Sequence, residues 1–89
     1  MQREEIFKTV SIIVETVSGW DDIKPLDENT VLKMIGIDSL DKVEIVMMVE
    51  KEYHIEIPDS DIDEVRTVGD IVNIVLKLAD GNTATTPGN

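Results

Sequence analysis

Asp38-Ser-Leu-Asp-Lys-Val-Glu-Ile-Val-Met-Met-Val-Glu-Lys-Glu-Tyr53 is the stretch on which the reading of this chain turns. Asp38 has the character of an N-cap, and Asp41 resembles the acidic partner of a capping box, so a helix is predicted from Ser39 to about Tyr53. On a helical wheel, Ile45, Val46, Val49 and Tyr53 fall on one side, and Leu40, Val43 and Met47 on roughly the opposite side. One stripe faces a core. The other is either covered by the preceding loop or left open between Glu44 and Glu50, as an apolar strip with an acidic rim suited to transient contact with a basic partner. Periodicity alone leaves both readings open.

Upstream, Ile6, Val10, Ile13 and Val17 recur at helical spacing within Arg3 to Val17, and Ser18-Gly19 stops that first helix. From Trp20 to Ile37 the residues Pro25, Asp27, Asn29 and Gly36 interrupt any period, which predicts a long loop with a helical turn around Asn29 to Leu32. Downstream, Pro58 breaks the chain, Asp59 to Glu64 suits one short acidic helix, and Thr67 with Asp70 caps a final helix expected to end near Ala79. Residues 80–89 are small and polar and are expected to form a disordered tail. The only strand-like alternation, Ile55-Glu56-Ile57, is cut off by Pro58. The expected fold is therefore all-α: a small four-helix bundle with three main helices, one short helix and a long loop between the first two, in one domain over 1–79.

Composition narrows the function. With 89 residues, 42% of them apolar and only one Phe, one Tyr and one Trp, a single small aliphatic core is expected. Nineteen acidic against eight basic side chains leave a net charge of -11, which argues against nucleic acid and anionic membrane surfaces. Cysteine is absent, so any thiol must arrive on a cofactor. The first residues lead into an amphipathic segment rather than a signal peptide, and no apolar run is long enough to span a bilayer, so a cytoplasmic monomer is expected. Asp59-x-Asp61-x-Asp63, with Asp70 at the twelfth position, begins like a calcium loop. Glu64 stands where that loop wants glycine and Pro58 interrupts the entering helix, so no metal site is assigned. His54 has no evident catalytic partner in the sequence and reads as a boundary residue; Trp20 is expected to pack under the loop.

Gly36-Ile-Asp-Ser-Leu-Asp-Lys-Val-Glu44 resembles the attachment motif of acyl carrier proteins. Ile45-Val-Met-Met-Val-Glu-Lys-Glu-Tyr53, Ile55-Glu-Ile-Pro-Asp59 and Thr67-Val-Gly-Asp70 are similar to that family in order and spacing, so the resemblance runs from the first helix to about Leu78. It implies that the domain over 1–79 is an acyl carrier and not an enzyme. Ser39 would receive 4'-phosphopantetheine from coenzyme A, flanked by Asp38 and Leu40, and the arm's thiol would hold acyl groups as thioesters for fatty-acid or polyketide synthesis. A serine opening a helix would set an attached phosphodiester among unpaired N–H groups at the positive end of the helix dipole. Gly36 would let the loop turn tightly into that helix.

The same resemblance implies a phosphopantetheinyl transferase as partner, followed by synthase, reductase, dehydratase and acyltransferase enzymes with basic docking patches. Asp41, Val43, Glu44, Met47 and Glu50 are the candidate recognition residues. Between Asp38 and Glu64 ten acidic side chains face only Lys42 and Lys51, a surface suited to such partners. The chain departs from the commonest pattern at Lys33-Met34-Ile35 and at Lys51, which bears on the partner pathway. A peptidyl or aminoacyl carrier is the alternative cargo class.

Overall fold

The computed structural model describes residues 2–19 and 25–85. Four helices follow in order: α1 over Arg3–Ser18, α2 over Ser39–Tyr53, α3 over Asp59–Glu64 and α4 over Val68–Thr85, with a 3-10 turn at Leu32–Ile35 before α2. Among the described residues there is no strand, only an isolated antiparallel bridge between Val31 and Thr67. Trp20 lies outside the described residues.

Each helix forms where its local chemistry permits. Gly19 ends α1 in the left-handed conformation, at φ 70°, and returns its N–H to the Glu15 carbonyl. Asp38 and Asp41 close the expected capping box: Asp41 N–H donates to Asp38 Oδ1 at 2.9 Å, and Asp38 N–H donates to Asp41 Oδ2 at 3.4 Å. Thr67 and Asp70 repeat the device at the head of α4, with bonds of 3.1 Å to Thr67 Oγ1 and 3.0 Å to Asp70 Oδ2. His54 ends α2 in the left-handed region at φ 56°, a conformation in which histidine is more tolerated than most side chains.

The core lies where α1 packs against α4 and α2. α1 brings Ile6, Val10, Ile13 and Val14; α2 brings Ile45, Val46 and Val49. Val17, expected in the core, is only half-buried at the bundle edge, and Val14 takes the central place. α4 contributes Ile71, Val72 and Val75, and no polar residue is counted as buried beside them. Among the described residues Ser11 Oγ alone is sealed from water without a hydrogen-bond partner.

Two boundaries differ from the sequence reading. The helical turn sits at Leu32–Ile35 rather than around Asn29 to Leu32, because Asp27 organises the earlier residues into a tight turn of its own. Its carboxylate accepts from Asn29 N–H at 2.7 Å and its carbonyl accepts from Thr30 N–H at 3.1 Å. The final helix passes Ala79 and runs to Thr85, so residues 80–85 are helical rather than tail. Gly81 costs a helix about 1 kcal/mol without forbidding it, and the first proline on this side comes only at Pro87.

Candidate functional site

The segment leading into α2 is held from below. Gly36 adopts φ 87°, closing the 3-10 turn, and Ile37 then drops into the core while its N–H bonds the Leu32 carbonyl at 3.0 Å. With Ile37 anchored, Asp38, Ser39 and Leu40 emerge on the surface. Ser39 is exposed at the first position of α2. Asp41 N–H is used by the cap and Lys42 N–H by the Asp38 carbonyl at 2.9 Å, which leaves the N–H groups of Ser39 and Leu40 at the positive end of the helix.

Beside Ser39 opens a cleft of about 630 Å³ between α2 and the chain that joins α3 to α4. Leu32, Ile37 and Val65 give it an apolar floor, and Lys33, Lys42 and Arg66 stand around it. The far wall is brought there by backbone pairing: Leu32 N–H donates to the Arg66 carbonyl at 2.9 Å and Val68 N–H to the Thr30 carbonyl at 3.1 Å. Lys42 Nζ reaches across to the Val65 carbonyl at 3.2 Å and ties α2 to the end of α3. Among these residues Ile37 and Lys42 lie within the attachment motif at 36–44 and Lys33 just before it, close to Ser39 in sequence. Val65 and Arg66 reach the site only through contacts with this distant part of the chain.

The second stripe of α2 is open. Leu40 is 80% exposed, Met47 60% and Val43 47%, and Met34 on the 3-10 turn is exposed as well. Glu44 is exposed beside it. Glu50 is half-buried and already employed, since its carboxylate accepts from Ile57 N–H at 2.7 Å and so fastens the turn after α2. Asp41 likewise serves the cap. The structure thus gives two of the candidate recognition carboxylates a local task and leaves Glu44 turned to solvent.

A calcium loop is not formed: Asp59, Asp61 and Asp63 lie along helix α3, and no group of three potential metal ligands converges among the described residues. His54 is an exposed helix-terminal residue far along α2 from Ser39. No described helix is long and apolar enough to cross a membrane.

Comparison with known proteins matches residues 8–75 to the phosphopantetheine attachment site family. An acyl carrier protein of Thermotoga maritima is 39% identical over 75 residues, which cover 84% of this chain and 93% of that protein. The meromycolate extension acyl carrier protein of Mycobacterium leprae is 38% identical over 80 residues, covering 90% of this chain and 70% of the relative. A crystal structure of an acyl carrier protein from Thermotoga maritima superposes with a TM-score of 0.79 at 31% identity, over 91% of this chain and 94% of that one. On these similarities the chain belongs to the phosphopantetheine-binding acyl carrier protein family.

Proposed function

We propose that Ser39 is the residue that carries the 4'-phosphopantetheine arm, with Asp38 and Leu40 as its immediate neighbours. The observation that carries this reading is the exposed hydroxyl at the capped head of α2, inside the matched span and at the mouth of a cleft with an apolar floor. The residues present fit the group. Two helix-terminal N–H groups and nearby cations suit a phosphodiester, and the cleft lies in the usual size range of small-molecule pockets.

When bound, the arm supplies the thiol that this cysteine-free chain lacks, and on it acyl intermediates ride as thioesters. The chain's own residues have other tasks. Asp38 holds the helix head rigid, Gly36 and Ile37 fix the height of Ser39 above the core, and Leu32, Ile37 and Val65 offer an acyl chain a surface away from water. The protein acts as a carrier rather than a catalyst. Asp38 accepts a bond from Asp41 N–H on one carboxylate oxygen and Lys42 donates one to the Val65 carbonyl, so both side chains have a part in holding the site's shape.

The open stripe of Leu40, Val43 and Met47, with Glu44 at its edge and Glu50 and Asp41 behind it, is the surface for partners with basic patches: the phosphopantetheinyl transferase first, then synthase, reductase, dehydratase and acyltransferase enzymes of fatty-acid or polyketide synthesis. A monomer in the cytoplasm suits that traffic, since self-association through the stripe would cover it.

Intact-protein mass before and after incubation with coenzyme A, magnesium and a broad-specificity phosphopantetheinyl transferase tests the assignment. A single phosphopantetheine increment is expected for the native sequence and none for Ser39→Ala. An increment that persists in the variant would place the arm elsewhere.

A further inference from the structure

Charge is distributed oddly around Ser39. The chain has 19 acidic and eight basic side chains, yet three of the eight, Lys33, Lys42 and Arg66, line the cleft that Ser39 also lines. Asp38 and Asp63 are the acidic residues on that lining, and one carboxylate oxygen of Asp38 is occupied by Asp41 N–H. Three cations against two carboxylates make this lining far less acidic than the rest of a chain of net charge -11, although Asp41 and Asp70 stand just beside it.

The three cations come from separate segments. Lys33 is on the 3-10 turn, Lys42 on α2 and Arg66 on the link between α3 and α4. The bond from Leu32 N–H to the Arg66 carbonyl draws the first and last together. The side chains of Lys33 and Arg66 enter no hydrogen bond or ion pair among the described residues, so the fold gathers them without using them. Like charges collected in this way lower the free energy of an anion placed among them and raise their own when it is absent.

We infer that Lys33, Lys42 and Arg66 form a binding site for the phosphodiester at the root of the arm, holding it against the cleft mouth. The inference rests on the attachment of the arm to Ser39. A phosphodiester bears one negative charge and two unesterified oxygens, and a guanidinium beside two ammonium groups can donate to both. Lys42 contributes mainly charge, since its ammonium also serves the Val65 carbonyl. On most of so acidic a chain a further negative charge adds to self-repulsion and lowers stability, and removing the cations separates their share from that of the helix terminus.

Urea unfolding of the apo and phosphopantetheinylated forms, both without an acyl group so that no cargo carboxylate contributes, reads the sign of the effect. Loading is first verified by mass. The urea midpoint is expected to rise on loading at low salt, by roughly a few tenths of a molar, and the rise should shrink as salt is added. It should vanish or reverse in Lys33→Gln/Arg66→Gln, whose side chains are exposed. Lys8→Gln/Lys51→Gln removes the same charge at exposed positions away from the cleft and should keep the rise. In the loaded protein the Arg66 Nε–Hε resonance should shift relative to the apo form. A rise of equal size in both paired variants, or a fall in the native sequence, overturns the inference while leaving the attachment at Ser39 intact. A missing mass increment strikes the attachment itself, and the inference falls with it.

Discussion

Replacing Gly69 with alanine adds one methyl group at the point where α4 touches the long loop. A Cβ there would stand 2.8 Å from the Glu28 carbonyl oxygen and 3.1 Å from Glu28 Cβ. Because the nearest atom is backbone, no rotamer change relieves the overlap. Gly69 N–H also donates to that same carbonyl at 2.9 Å, so moving the loop outward costs the bond as well. Overpacking of this kind costs about 1–3 kcal/mol and a lost hydrogen bond about 1 kcal/mol. The helix propensity of alanine returns at most about 1 kcal/mol. The net expectation is a loss of about 1–3 kcal/mol, which in a domain of this size lowers Tm by roughly 5–20 °C.

Urea and thermal unfolding followed by circular dichroism at 222 nm measure it, and the cross-peaks of Glu28, Leu32 and Val68 in an amide spectrum should move more than those of α1. A neutral or stabilised Gly69→Ala would show that the loop does not press on α4 as described. The pinning of Ser39 through Leu32 and Arg66 would then lose its footing.

Gly36→Ala meets no atom within 4 Å, so its cost is purely conformational, about 1–2 kcal/mol for a left-handed alanine, and should appear as a lower urea midpoint with unchanged slope. Ser11→Ala replaces a sealed hydroxyl that has no partner and should raise stability by about 1 kcal/mol in the same assay; a loss would reveal a hydrogen bond to Ser11.

Much of this architecture is local and could be read from the chain. The Asp38–Asp41 and Thr67–Asp70 boxes each span a single helical turn, so residue type and spacing already contain the geometry that the structure realises. The two faces of α2 follow in the same way from its period, and the structure decides what the period left open by keeping Leu40, Val43 and Met47 uncovered. The 3-10 turn sits later than the sequence reading puts it because Asp27 takes Asn29 and Thr30 into a turn of its own, and the bond from Leu32 N–H to the Arg66 carbonyl adds a contact between distant segments that no local pattern records. The cleft was invisible for the same reason, and Arg66 and Val65 gave no hint of standing near Ser39. Asp59, Asp61 and Asp63 show the reverse case, in which a local pattern suggests a metal loop but the helical backbone spreads the carboxylates.

The four helices are not equally fastened. α3 buries no residue of its own and packs against α2, while Ile57 and Val65, just beyond its two ends, are the buried posts between which it is slung. In elastic terms the molecule is stiff on the sides built by α1, α2 and α4 and compliant along α3. Outward displacement of this strap would leave the helices that carry the core in place. Six residues held at two buried ends make α3 the side of the bundle that yields first to a push from within.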